Sequence, residues 1–192
     1  MTTSPLLVVL IFLILRPLLA QGVDQIWLDR PLANWNRSVK NFPQPPKAEE
    51  SLKALAARCK FEVRRSSPAE RALADAGWVP YLHVDRQLVQ GDIEIVAGMT
   101  GADGMCRPTR FNLFVFVGGQ LAGTLSPVPM SSREDGSIGA VRLAPDGAIA
   151  AEFARYNEKD ALCCPSGRLG IRYRVDRGSR PVVVPVSTQI LR

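Results

Sequence analysis

One segment of this chain of 192 residues is the most informative about its fold: Phe111-Asn112-Leu113-Phe114-Val115-Phe116-Val117-Gly118-Gly119-Gln120-Leu121. Residues 111–117 are apolar at almost every position, so both faces of an extended strand would be apolar. This pattern predicts a central strand that is covered on two sides. The two glycines that follow predict a tight turn into a second strand over 121–125. The chain therefore places a hairpin inside a sheet.

Further strands surround this hairpin in the sequence. Segment 148–156 has strong helix propensity, but an Asp-Gly turn precedes it and its neighbours are strands, so we expect a strand there. The prolines of segment 181–186 are typical of a strand at a sheet edge. Turn residues separate the short strands that we predict over 93–97, 138–143, 148–156, 169–175 and 181–186.

The helical part of the chain precedes the strands. Residues 48–58 are good helix formers with apolar residues at helical spacing. A second helix begins at Ser67, which is followed by Pro68 and, three residues after the serine, by Glu70. Gly77 ends it. We therefore predict an α+β fold, a mainly antiparallel β-sheet with one or two short N-terminal helices, held by disulfides.

The N-terminal 47 residues differ in composition from the remainder. Residues 6–20 are almost continuously apolar but too short for a spanning helix, which predicts a signal peptide over 1–20 that is cleaved between Ala20 and Gln21. An uncleaved membrane anchor is the alternative. Residues 21–47 form an arm rich in Trp and Pro, and we expect 48–192 to form a single β-rich domain.

Two surfaces are candidates for binding. Trp27 and Trp35 lie in the arm, where packing onto the domain is the commoner role of an indole and ligand binding is the alternative. In strand 169–175, Arg172 and Arg174 alternate with apolar residues and therefore point to the opposite, solvated face. The net charge of +6 is scattered and includes no dense basic block, so we expect no nucleic-acid partner.

The four cysteines are Cys59, Cys106, Cys163 and Cys164. Adjacent residues have Cα atoms about 3.8 Å apart, whereas an unstrained disulfide prefers about 4.4–6.8 Å. We therefore expect Cys163 and Cys164 to bond separately, one to Cys59 and the other to Cys106. One pair with two free thiols, or a vicinal Cys163–Cys164 redox bond, are the alternatives.

The sequence lacks the residues that several kinds of catalytic and metal site require. The one histidine, His83, supports neither a multi-histidine metal site nor, without a Gly-x-Ser-x-Gly motif, a hydrolase triad. Asp92 and Asp103 do not make the ladder of a calcium loop. Glu158 and Asp160 resemble solvated loop charges. We expect no catalytic residue, no metal and no cofactor.

The run Tyr156-Asn-Glu-Lys-Asp160-Ala-Leu-Cys163-Cys164-Pro165-Ser166, followed by Ile171-Arg172-Tyr173-Arg174, resembles the LppP/LprE family of bacterial envelope lipoproteins. Asp103-Gly104 and Cys106 also match, and the similarity covers about 91–177. The resemblance implies an extracytoplasmic, β-rich module with disulfides, and it carries no known catalytic residue. No cysteine precedes Cys59, so we expect no lipid attachment.

These observations favour an exported envelope protein, periplasmic or secreted, that is a non-enzymatic binding or structural module. After cleavage of the leader it would not be an integral membrane protein. Its partner would be another envelope protein or a small ligand. The alternative function is a thiol-redox role of the adjacent cysteines Cys163 and Cys164.

Overall fold

The structure, a computed structural model, describes residues 26–38, 40–81 and 88–191. The predicted α+β fold with antiparallel sheets is confirmed. The chain runs through 3-10 turns at Trp27–Asp29 and Trp35–Ser38, helices α1 (Leu52–Cys59) and α2 (Pro68–Asp75), and strands β1 (Val79–Tyr81), β2 (Leu88–Gln90), β3 (Ile93–Met99), β4 (Gly101–Ala102), β5 (Pro108–Thr109), β6 (Asn112–Val117), β7 (Gln120–Thr124), β8 (Ile138–Leu143), β9 (Ile149–Arg155), β10 (Gly167–Arg177) and β11 (Pro181–Leu191).

The first sheet has the strand order β1-β3-β6-β7, and β2 pairs with β3 as well. All six residues of β6 are buried, as expected for a strand that is covered on two sides. Phe114 and Phe116 pack with α2 on one face, and the alternate residues of β6 belong to the main core on the other face. Strand β6 thus lies between two apolar layers.

The turn between β6 and β7 consists of Gly118 and Gly119, whose φ angles are 56° and 78°. Both angles lie in the left-handed region, which glycine adopts without steric cost. Two such residues in succession match the twist of an antiparallel hairpin. The predicted hairpin is therefore confirmed.

The second sheet has the order β11-β10-β9-β8, with all its pairs antiparallel. Segment 148–156 is the predicted strand: Ile149, Ala151 and Phe153 alternate into the core as part of β9. Burial on this period of two overrides the helix propensity of the segment. Strand β11 lies at the edge of this sheet and continues to Leu191, five residues beyond the predicted end.

Helix α2 begins where the sequence predicts, and helix α1 begins later than predicted. Ser67 and Glu70 form the expected capping box at the start of α2. Helix α1 begins at Leu52 and not at residue 48, because the Ser51 hydroxyl accepts a hydrogen bond from the Ala54 N–H and caps the helix there. Helix α2 lies against the first sheet at Gly98, where a Cβ would lie 2.9 Å from the Leu73 side chain.

Candidate functional site

The arm packs its two indoles onto the second sheet. Trp27 contacts Phe153 edge-on at a ring-centroid distance of 5.1 Å, and it contacts Trp35 in the same manner at 5.4 Å. Trp35 lies 6.3 Å from the ring of Tyr173. Edge-to-face contacts of this kind add to the burial of the rings. Both indoles are half-buried, so they hold the arm in place and still leave part of their surface open.

The residue after Trp35 is buried in the domain and attaches the arm by hydrogen bonds. Asn36 is fully buried, and its amide nitrogen donates to the carbonyl oxygens of Thr124 at 3.0 Å and Val183 at 3.1 Å. Its amide oxygen accepts from the Thr124 N–H at 2.9 Å. Thr124 ends β7 and Val183 lies in β11, so one side chain joins the edges of the two sheets. A Cβ at Gly123 would collide with Asn36, and glycine leaves the space it occupies.

Two further contacts fix the arm at points distant from Asn36. Arg155 of β9 forms salt bridges with Asp29 at 2.7 Å and with Asp135 at 3.1 Å. The indole nitrogen of Trp78 donates to the carbonyl oxygen of Pro43 at 3.0 Å. The arm is therefore attached to the domain along most of its described length.

A groove of about 190 Å³ lies between the arm and the second sheet, and we call it the Trp groove. Most of its surface is apolar, and Thr188 and Arg30 supply polar groups. Leu32 is 37% exposed at this groove. The lining residues are Trp27, Leu28, Arg30, Pro31, Leu32, Ala33, Trp35, Pro127, Leu169, Ile171 and Thr188.

The two arginines predicted on the solvated face of β10 do point outward, and Ile171 and Tyr173 between them are 1% exposed. Their surroundings differ. Arg174 forms a salt bridge with Asp176 at 2.6 Å. Arg172 lies instead on the wall of a second hollow, which the groove beside the tryptophans does not include. The structure therefore does not place the two arginines with the tryptophans, which lie at the inner face of this sheet.

The expected cysteine pairing is wrong. Cys59 is bonded to Cys106, with Cα atoms 5.4 Å apart, and Cys163 is bonded to Cys164. Helix α1 ends beside the turn that joins β4 to β5, which brings Cys59 to Cys106. The adjacent cysteines lie instead in the loop between β9 and β10. The distance between adjacent Cα atoms does not determine which segments the fold brings together, and the fold brings Cys59 to Cys106.

An ionic network surrounds the Cys59–Cys106 bond. Arg58 donates to the carbonyl oxygens of Asp103 at 2.8 Å and Ala102 at 3.0 Å, and it pairs with Glu50 at 2.5 Å. Asp103 accepts hydrogen bonds from the N–H groups of Met105 and Arg107. Burial alone would raise the pKa of Asp103, but these hydrogen bonds and the Arg107 guanidinium lower it. Asp103 and Gly104 form the expected turn, and Asp103 has a structural partner.

The loop over residues 156–166, which we call the CCPS loop, is built around Asp160. One carboxylate oxygen of Asp160 accepts from the N–H groups of Asn157 and Ser166, each at 2.9 Å, and so joins the two ends of the loop. These two hydrogen bonds lower the pKa of Asp160. The Asn157 amide also donates to the Ser166 hydroxyl at 2.7 Å. Asp160 therefore holds the backbone of the loop.

The tip of the CCPS loop faces solvent. Leu162 is 71% exposed, and Cys163 and Cys164 are exposed as well. The Tyr156 hydroxyl donates to the Leu162 carbonyl oxygen at 3.0 Å, and this hydrogen bond attaches the tip to the start of the loop. The loop thus presents a disulfide and a leucine on a hydrogen-bonded frame.

The remaining candidate residues do not converge on one site. His83 lies outside the described residues. Asp92 forms a two-bond salt bridge with Arg177 at 2.6 and 2.8 Å, and Glu158 is exposed in the CCPS loop. Over residues 26–38, 40–81 and 88–191, no three His, Cys, Asp or Glu side chains cluster as a metal site would require. No helix in these ranges is both long and apolar enough to cross a membrane.

Asn36 is the important residue that sequence reasoning missed. An asparagine beside a tryptophan in a proline-rich segment has no pattern that predicts burial. Its role depends on two backbone edges that are 88 and 147 residues away in sequence. The nearest sequence signal was the glycine at position 123, in a strand segment where glycine often marks close approach of another group.

The comparison with protein families gives one match. The model of the LppP/LprE lipoprotein family matches residues 89–178, which extend from β2 to the end of β10. The resemblance seen in the sequence is thereby confirmed. The match includes the CCPS loop and Cys106, whereas the arm, both helices and Cys59 lie outside it. No curated protein and no solved structure matches the chain.

Proposed function

Since residues 89–178 match the model of the LppP/LprE lipoprotein family, which indicates an envelope-associated protein, we propose that this chain is an exported, non-enzymatic binding module of the bacterial envelope. The observation that carries the proposal is the Trp groove. It is a small concavity with an apolar lining and a few polar groups, which is the usual character of a small-molecule site, and its volume suits one apolar group of a ligand. Its partner is an apolar group of an envelope ligand.

The groove is preorganised. Its two indoles are held by Asn36 and by ring contacts with the second sheet, so binding would not have to order the arm. A site whose walls are already ordered loses less entropy when it is filled. The hydroxyl of Thr188 and the guanidinium of Arg30 at the rim would orient a bound group.

Titration with anilinonaphthalene sulfonate tests the groove. The aromatic rings of this anionic probe should enter the groove with a saturable rise in its fluorescence, and the bound probe should quench the emission of Trp27 and Trp35. Leu32→Asp should weaken the binding at least about tenfold, because a carboxylate at the half-open wall must lose water when the probe enters. The matched control is Val89→Asp, since Val89 is 50% exposed and does not line the groove.

Equal binding by both variants, or probe fluorescence with no quenching of the indoles, would place the probe elsewhere and overturn the groove as the site. Circular dichroism on both variants confirms that they are folded. Both substitutions lie at exposed positions, where the effect on stability is usually within about half a kcal/mol.

Export is the second part of the proposal. The apolar segment 6–20 would direct the chain to the secretory pathway, and cleavage after Ala20 would leave Gln21 as the first residue. Mass spectrometry of the protein from the periplasm and from the medium identifies its N-terminal residue. A protein found only in the cytoplasm with residues 1–20 still attached would contradict it.

A second candidate function is thiol–disulfide exchange at Cys163–Cys164. The favouring observation is that this bond is exposed at the tip of the CCPS loop, while Asp160 and Asn157 hold the loop ends without it. A thiolate of a partner dithiol would attack one sulfur and release the other as a thiolate. The partner's second thiol would then resolve the mixed disulfide, so the partner becomes oxidised and the two cysteines become thiols.

Alkylation under mild reduction distinguishes the two functions. If exchange is the function, a low concentration of dithiothreitol should expose Cys163 and Cys164 to labelling while Cys59 and Cys106 remain bonded. The melting temperature should stay unchanged, because the loop frame does not depend on the bond. Labelling of all four cysteines together, or only after unfolding, would contradict exchange and leave the binding function as the proposal.

A further inference from the structure

Two arginines flank a methyl side chain on the outer face of the second sheet. In the strand register, Ala150 of β9 lies opposite Arg142 of β8 on one side and opposite Arg172 of β10 on the other. Neighbouring strands are about 5 Å apart, so the Cα atoms of the two arginines are separated by roughly 10 Å. Ala150 itself places only a methyl group between the two arginines.

The space above Ala150 is a shallow hollow of about 540 Å³, which we call the arginine hollow. Gly170 also lies at the bottom of the hollow, and its small size, like that of Ala150, leaves the hollow open. Ser187 of β11 pairs with Arg172 and adds a hydroxyl group, and Gln189 pairs with Gly170 and adds an amide. Charged and hydrogen-bonding groups thus surround a floor of small residues.

The charges in the hollow are unevenly paired. Arg142 forms a salt bridge with Glu152 at 2.9 Å, and Arg168 lies 3.9 Å from the same carboxylate. Within the described part of the chain, Arg172 has no salt bridge. Arg142, Glu152 and Arg172 are the charged residues of the lining, which gives two positive charges and one negative charge.

We propose that the arginine hollow binds a phosphoryl group between Arg142 and Arg172. A guanidinium recognises an oxyanion through two parallel N–H···O bonds. A carboxylate has one pair of oxygens, which a single arginine can satisfy. A tetrahedral phosphoryl group presents more than one oxygen pair, so two arginines on opposite sides can bind it at once, and the Ser187 hydroxyl can donate to a further oxygen.

The arginines of this site lie on the opposite face of the second sheet from the Trp groove, although Ile171 and Thr188 border both cavities. Successive residues of a strand point to opposite faces, so Arg172 faces outward where Ile171 faces the core and the groove. The inference therefore does not depend on the function proposed for the groove, and Leu32→Asp should bind phosphate as the wild type does.

Titration of isotope-labelled protein with inorganic phosphate, followed by NMR, tests the site. The backbone amides at 150, 170 and 187 should shift with one common dissociation constant. Arg142→Gln and Arg172→Gln should each weaken binding at least about tenfold, the loss expected for one charge-assisted pair. Arg174→Gln is the matched control: Arg174 is also exposed on β10, but it pairs with Asp176 and does not line the hollow.

Vesicles distinguish the source of the phosphoryl group. If it belongs to a lipid, phosphatidylglycerol vesicles should retain the protein in sedimentation, phosphatidylcholine vesicles should not, and the two hollow variants should be released. Binding of inorganic phosphate alone would identify a soluble ligand. Binding of neither probe, or equal binding by Arg142→Gln, Arg172→Gln and Arg174→Gln, would overturn the site.

Discussion

Single residues connect distant parts of this protein, and Asn36 is the clearest case. Its amide group makes three hydrogen bonds to the backbone of Thr124 and Val183. Unpaired backbone groups at the edge of a sheet are costly when they are buried. Asn36 supplies the missing donor and acceptor at the point where β7 and β11 meet, which makes a residue of the arm part of the core.

Replacement of Asn36 by Ala should lower the free energy of unfolding by about 2–4 kcal/mol, because it leaves buried backbone groups of β7 and β11 without partners. Urea denaturation at neutral pH measures this change. The adjacent exposed residue provides the control: Arg37→Ala should change the free energy by less than about half a kcal/mol. Similar values for the two variants would show that Asn36 is not what joins the sheets.

At the scale of elements, helix α2 is specified by its N-terminus. Glu70 is 3% exposed and accepts hydrogen bonds from the Ser66 N–H at 2.7 Å, from the Ser67 N–H at 3.2 Å and from Arg64 at 2.6 Å. Burial alone would raise the pKa of Glu70, but the hydrogen bonds from Ser66, Arg64 and Ser67 together lower it. The carboxylate therefore stabilises the folded state while it is ionised.

Glu70→Gln should lower the free energy of unfolding by about 2–3 kcal/mol at pH 7. The folded-state pKa of Glu70 lies below the unfolded value of about 4.3. Its contribution is therefore complete above that pH and is lost as the pH falls through the folded-state pKa.

Denaturation of the wild type and of Glu70→Gln at pH 7 and pH 3 tests this expectation. The difference between the two proteins should shrink at pH 3. The exposed Glu62, replaced by Gln, is the control and should have little effect at either pH. A difference for Glu70→Gln that does not change with pH would mean that ionisation of Glu70 does not stabilise the helix.

At the scale of the whole molecule, the two disulfides have different mechanical roles. The Cys59–Cys106 bond closes a segment of 47 residues and links α1 to the β4–β5 turn. The Cys163–Cys164 bond joins neighbours in sequence and restricts no other part of the chain. A crosslink stabilises mainly by reducing the entropy of the unfolded chain, and it does so more for longer loops.

The double variant Cys59→Ala/Cys106→Ala should therefore lose about 4 kcal/mol of unfolding free energy, the chain-entropy value for a loop of this length. The double variant Cys163→Ala/Cys164→Ala should lose less than about 1 kcal/mol. Guanidinium denaturation measures both. A larger loss from the second pair than from the first would contradict this assignment of roles.

Local patterns in the sequence determined most of the elements. The apolar run of β6 and the paired glycines after it predicted the central hairpin, because the period of a strand and the φ angles of a tight turn depend on neighbouring residues alone. Ser67 and Glu70 predicted the start of α2 for the same reason. The alternation in β10 predicted which of its residues face the core.

The cysteine pairing, the burial of Asn36 and the different surroundings of Arg172 and Arg174 became known only from the folded structure. Arg174 pairs with Asp176, two residues away, whereas the surroundings of Arg172 come from other strands. The Cys59–Cys106 bond and the burial of Asn36 depend on segments that are far apart in sequence: 47 residues for Cys59 and Cys106, and 147 for Asn36 and Val183. Contacts of that range arise from packing of whole sheets and helices. A side chain's sequence neighbours determine its element, whereas its binding partners depend on how the elements assemble.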